Sequence, residues 1–212
     1  MGIINCLPSA THLNSTFSGD FSVPSGPRII SGHILTGFSS SGGFIYPRTP
    51  ADTLPEYDMT KPFHIRMKLR CSGLMTRGQA LIGDSASEFA RPVIVVGSQG
   101  ADYLAQGNFS TDGTTWGAQL SVLKSEIPFV ADAWYTIDYE WGLNTFSFTV
   151  SDGTNTVTKT TTITNFTTVA DGGTSRVQIG ARKAQLYAQN VSVDAFDTYW
   201  EQNGSLVWGN KS

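Results

Sequence analysis

The chain has 212 residues, 40% of them hydrophobic and 11% aromatic, which is enough for one sizeable core and suits a single all-β domain. Charged residues make up only 15%, the formal net charge is −3, and no run of Lys or Arg occurs. That excludes nucleic acid as the main partner, because phosphate recognition needs clustered positive charge; the longest apolar run, Val93 to Val96, is also far too short to span a membrane.

The opening MGIINCLPSATHL has no basic region and no sustained apolar stretch, so it is expected not to be a signal peptide. Cys6 stands where a myristoylation signal needs Ser or Thr. Residues 1–27 are polar and rich in turn formers, and read as an extended arm ahead of a domain at 28–212. Strands are then expected at 28–35 and 43–47. FHIRMKLR, 63–70, alternates cleanly, with Phe63, Ile65, Met67 and Leu69 on one face and His64, Arg66, Lys68 and Arg70 on the other. SASEFA, 85–90, is the best helical candidate, and Pro92 limits it. Further strands are expected at 92–97, 101–108 and 118–123.

The richest stretch is WYTIDYEWGLNTFSFTVSDGTNTVTKTTT, 134–162. Tyr135, Ile137, Tyr139 and Trp141 alternate with Thr136, Asp138 and Glu140. Phe146, Phe148 and Val150 alternate in turn, and Asp152-Gly153 supplies a hairpin turn. This predicts a three-stranded meander. Strands at 175–181, 187–196 and 198–208 complete about a dozen short elements, the pattern of an antiparallel β-sandwich of jelly-roll type.

Cys6 and Cys71 are the only cysteines; they read as free thiols, although nothing forbids their pairing. Without a CxxC pair or a Cys/His set, zinc is not expected. Asp112, Asp152, Asp171 and Asp194 fall in or near turns. The Asp-Gly pairs explain the first three without calcium, so no metal is expected.

The WYTIDYEW strand, the hairpin TFSFTVSDGTNTV, VQIGAR and the closing VSVDAFDTYWEQNGSLVWG together resemble concanavalin A-like domains, laminin-G-like ones in particular. The closing segment, a strand and an aspartate followed by Tyr-x-x-x-Asn-Gly-x-x-x-Trp, is similar to versions in tail, baseplate and head-appendage proteins of bacteriophages. The resemblance covers roughly residues 28–209. It implies a two-sheet antiparallel β-sandwich, a concanavalin A-like jelly roll, and leaves function open, since that fold hosts lectins, glycosidases and structural modules.

Glycosidases of that superfamily carry three carboxylates on one strand, where alternate residues share a face and bring acid and nucleophile to about 5–5.5 Å. Only Asp138 and Glu140 stand here, with Thr136 and Gly142 beyond them. They are expected to be the solvated face of an ordinary strand, not a catalytic pair. His12, His33 and His64 are scattered and are expected to be exposed polar residues. Trp116 lies in the polar stretch STDGTTWGAQ. Two readings fit it: a platform stacking on a sugar ring, helped by Asp112, Gln119 and Tyr103, or a cap on the sandwich that contacts a neighbouring subunit.

The expected function is non-enzymatic and cofactor-free. By resemblance the chain is a bacteriophage virion component, decorating a capsid or forming part of a tail or fibre, made and assembled in the host cytoplasm. Its partners would be other virion proteins, further copies of itself and host-surface carbohydrate. The alternatives are a stand-alone carbohydrate-binding module or lectin, and a glycoside hydrolase with a divergent site.

Overall fold

The computed structural model describes residues 28–30, 34–36, 60–84, 93–110, 115–164, 177–182, 186–187, 190–194 and 197–209. The expected arm at 1–27, the strand at 43–47, the helical segment at 85–90, and Cys6, His12, His33, Asp112 and Asp171 lie outside these residues.

Among the described residues the secondary structure is β, with no α-helix. The strands in chain order are β1 (Arg28–Ile30), β2 (Ile34–Thr36), β3 (Phe63–Cys71), β4 (Gln79–Asp84), β5 (Val93–Val96), β6 (Tyr103–Ser110), β7 (Trp116–Leu123) and β8 (Trp134–Trp141). They continue with β9 (Thr145–Ser151), β10 (Thr156–Thr162), β11 (Val177–Ile179), β12 (Ala181–Arg182), β13 (Leu186–Tyr187), β14 (Val191–Asp194), β15 (Tyr199–Gln202) and β16 (Ser205–Gly209). One sheet runs β1-β2-β14-β3-β8-β9-β10, with β15 also paired to β3 and β16 to β15; the second runs β11-β4-β5-β6-β7, and β12 and β13 form a separate two-stranded ladder. Neighbouring strands are antiparallel throughout, for example β3 with β8 and β6 with β7. The fold is a two-sheet antiparallel β-sandwich of jelly-roll type, as the strand rhythm predicts.

The alternation on β3 and β8 sets the core. Phe63, Ile65, Met67, Leu69 and Cys71 are buried, and so are Tyr135, Ile137, Tyr139 and Trp141 opposite them. Burying such side chains is the main stabilising term, worth about 1.5–3 kcal/mol each for the large aliphatic and aromatic ones. The opposite sheet contributes Leu81, Ile94, Leu104 and Phe109 to the same cluster. Phe109 stacks on Trp141 at 4.5 Å between ring centroids, and Tyr139 Oη donates to the carbonyl of Asn108 at 3.0 Å. The sheets pack tightly at Gly107, where an added Cβ would stand 2.4 Å from the Phe148 ring.

Several boundaries differ from the sequence expectation. The segment at 28–35 is a hairpin rather than one strand. The closing 198–208 is also a hairpin, because Asn203 and Gly204 both take positive φ, 50° and 76°, as a type I′ turn requires. β4 was not expected, since QALIGD shows no alternation; it is recruited by pairing with β5 and β11. Asp152 does serve its turn: Oδ1 accepts from the amides of Thr154 and Asn155 at 2.8 and 2.6 Å.

Two features manage the edges and the thiol. On the edge strand β10, Lys159 points inward and donates to Glu126, next to the open side of the sandwich, an arrangement that discourages pairing with foreign strands. The Leu123 amide and then Lys159 hold the Glu126 carboxyl below its ordinary range. Cys71 is buried and unbridged. Burial first, with Asp132 adding, pushes its thiol up to about 12.

Candidate functional site

The outward face of the nine-stranded sheet can be read row by row from the register. One row crosses six strands: Leu206, Glu201, His64, Glu140, Ser147 and Thr160 lie side by side. The next is Tyr199, Arg66, Asp138, Thr149 and Thr158. A third carries Lys68, Thr136, Ser151 and Thr156, and a fourth begins with Arg70 and Trp134. This order follows from strand pairing alone, because alternate residues of each strand share a face.

The second row is the most tightly knit. Arg66 Nε donates to Asp138 Oδ1 at 2.7 Å and Nη2 to Oδ2 at 3.1 Å, a two-pronged pair. Arg66 also lies 3.8 Å from Asp197 and over the Tyr199 ring. His64, diagonal to Asp138, places Nε2 2.6 Å from Oδ1 and sets its ring edge-on to Tyr199. Burial pushes the Asp138 carboxyl up, but the hydrogen bonds from His64 and Arg66 outweigh it and hold the group below the ordinary carboxylate range. The bond to Asp138 raises the Arg66 guanidinium against the opposing effect of burial. With Asp138 ionised, His64 Nε2–H is the donor of that pair.

This corrects the expectation for two residues. Asp138 is not a solvated strand residue: only 14% of its side chain is exposed, against 54% for Glu140. His64 is likewise a partnered, half-buried group. The alternation located the face correctly, but the cross-strand partners close over Asp138. A general acid needs a raised carboxyl, and Asp138 is held the other way by a guanidinium, so it does not suit that one role.

At the row of Glu201, His64 and Glu140 the face opens into a groove of about 320 Å³. Its sides are His64, Glu140 and Glu201, with Thr145 and Ser147 from β9. The tips of two hairpins close its end: Gly142 before the β8–β9 turn, and Asn203-Gly204 between β15 and β16. Leu143, at the first of these tips, is exposed and holds φ at 71°, a strained setting for a branched side chain. Glu140 Oε1 lies 4.0 Å from His64 Nε2. On the far side of the groove, Ser147 and Thr160 share a 3.0 Å hydrogen bond, repeated one row on by Thr149 and Thr158 at 2.9 Å. The groove combines carboxylates, an imidazole and hydroxyls with apolar walls from Pro62, Phe63 and Trp141. Among the described residues no group of three or more His, Cys, Asp or Glu is arranged to hold a metal ion. Asp194 pairs with Lys68 at 3.3 Å.

Of the other sequence candidates, Trp116, Gln119 and Tyr103 lie on the second sheet, and Asp112 lies outside the described residues. Trp116 is not in a loop but opens β7, opposite Ser110. Phe109 pairs with Ala118, so Gly117 is one residue too many. That bulge re-aims Trp116 from the inward parity of Ala118 and Leu120 onto the outer face, where it packs on the buried Val93 and Val95. Gln119, opposite Asn108, is exposed on the same strand. Tyr103 stands at the other end of β6, about 20 Å away at the rise of an extended strand. It is therefore no neighbour of Trp116.

The groove residues carry weak sequence signals. The outward positions of His64 and Glu140 are visible in the alternation, but Glu201 joins them only because β15 pairs with β3, a contact between segments far apart in the chain.

No protein-family model matches this sequence, nor does any curated protein. Among solved structures, the chain is similar to the receptor-binding domain of botulinum neurotoxin mosaic serotype C/D, at 9% identity and TM-score 0.54, covering 81% of this chain and 39% of that one. It is similar to the binding domain of botulinum neurotoxin DC in complex with SialylT, at 10% identity and TM-score 0.53, covering 84% and 40%. It also resembles the NanB sialidase of Streptococcus pneumoniae, at 14% identity and TM-score 0.50, covering 69% and 22%. The chain thus spans well under half the length of these proteins. At such identities the likeness establishes the β-sandwich and nothing finer.

Proposed function

We propose that this chain is a non-catalytic β-sandwich module that binds carbohydrate in the groove beside Glu140. The observation that carries this reading is the groove itself. It has the volume of a small-ligand site, and carboxylate, imidazole, hydroxyl and backbone groups converge on it at the open end of a rigid sheet. Sugars present many hydroxyls, and a carboxylate accepts from two neighbouring ones. One fold neighbour, of which this chain matches 40%, is a binding domain in complex with SialylT, which makes a glycan ligand worth testing first. The non-catalytic reading is supported by the Arg66 and His64 bonds that hold Asp138 ionised, which suits it poorly to a general acid's role. Following the resemblance of the closing segment at 191–209, we further propose that the module works as part of a bacteriophage virion.

A glycan array probed with the intact chain tests the binding reading. Binding to a defined subset of glycans is expected, with loss in Ser147→Trp, which fills the groove. A second reading places the sugar on Trp116 and Gln119. It is favoured by the bulge at Gly117, which turns the indole outward. Under that reading Trp116→Ala abolishes binding and Ser147→Trp does not.

A further inference from the structure

The charge around the groove points to a ligand class. We propose that the groove selects saccharides by charge, taking amino-bearing chains most tightly, neutral ones next and acidic ones least. This rests on the carbohydrate-binding reading above.

Glu201 and Glu140 flank His64 from the two strands either side of β3. Both line the groove, and among its described lining residues there is no Lys or Arg. Among the described residues Lys61 precedes the groove-lining Pro62 without itself lining the groove, and the cations of β3 lie further along the face. Arg66 is held by Asp138 and Asp197. Lys68 is paired with Asp194. Lys68 and Arg70 both lie over the Trp134 ring, at 5.8 and 5.1 Å. The face therefore runs from an acidic end at the groove to a basic end at Trp134.

His64 does not reverse this. Its Nε2 is already directed at Asp138, and Glu140 lies beyond hydrogen-bond distance from it, at 4.0 Å. Among the described lining residues, a ligand carboxylate in the groove would meet two glutamates and no guanidinium or ammonium partner. A ligand ammonium would find Glu140, more than half exposed and able to turn toward it. Neutral hydroxyls remain acceptable to the glutamates, Ser147 and Thr145.

The test uses β-1,4-linked glucose and galactose tetramers, each in amino, neutral and uronate form, titrated calorimetrically into the whole chain. Mildly acidic pH and low salt keep the amines protonated and the glutamates ionised. The amino forms are expected to bind about fivefold more tightly than the neutral ones, the upper range for a partly exposed ion pair. The uronates should be weaker than the neutral forms by a similar factor. Added salt should shrink both gaps. Glu140→Gln, with Glu201→Gln as a second variant, should bring the amino and neutral affinities together, whatever the change in the neutral affinity itself, with an unchanged circular dichroism spectrum. Uronates binding as well as, or better than, the amino forms would overturn the charge selection while leaving carbohydrate binding in place. No binding by any form would overturn both.

Discussion

Arg66 and Asp138 face each other across β3 and β8 and are joined by two hydrogen bonds, 2.7 and 3.1 Å long. His64 adds a third to the same carboxylate. Removing Asp138 leaves a half-buried guanidinium without its main acceptor. Asp138→Ala is expected to lower stability by about 1.5–3 kcal/mol, the range for hydrogen bonds to charged groups. Glu140→Ala, at an exposed position, should stay within about ±0.5 kcal/mol. Urea unfolding of the two variants checks the contrast.

The same pair sets an acid limb. The Asp138 carboxyl is held below its ordinary value of 3.8, so its stabilising effect is complete above that pH. It is lost as pH falls through the lower folded value, because the native state must then take up a proton it resists. The wild type should therefore lose stability more steeply than Asp138→Asn below about pH 4. Thermal melts of both proteins across the acid range measure the difference.

Cys71 gives a clean reactivity prediction. Its thiol is buried and pushed up to about 12, so almost none is thiolate at neutral pH. It should stay unmodified by a thiol-specific disulfide reagent in the native protein and react fully in denaturant. Peptide mapping distinguishes it from Cys6.

Gly107 has no room for a side chain against the facing sheet. A β-branched side chain there would enter the Phe148 ring, whose nearest atom is 2.4 Å from an ideal Cβ. Gly107→Val is expected to cost at least about 1–3 kcal/mol by overpacking. Leu143→Gly should act in the opposite direction, because it relieves a positive φ of 71° at an exposed turn. A gain of up to about 1 kcal/mol is expected there, read as a raised Tm.

How much of this was visible beforehand depends on which contacts are local. The inward rows of β3 and β8 follow directly from the alternation of Phe63 to Leu69 and of Tyr135 to Trp141, because a strand places alternate residues on opposite faces. Trp116 reads as a loop residue because the alternation shows only from Ala118, whereas β7 begins at Trp116, and the bulge at Gly117 breaks the rhythm between them. The partners of Asp138 were missed for a different reason. His64 and Arg66 lie more than seventy positions away, at separations of 74 and 72, and only the register of β3 against β8 brings them into contact. The groove depends on a third pairing, β15 with β3, that sequence rhythm does not specify.

The central claim is that carbohydrate binds at the row of Glu201, His64, Glu140 and Ser147. Amide chemical-shift mapping tests it most directly, using the oligosaccharide that the glycan array selects. Shifts concentrated on residues 62–64, 140–147 and 201–204 are expected, with saturation at one common affinity. Shifts centred instead on Trp116 and Gln119, or none at saturating sugar, would contradict the account.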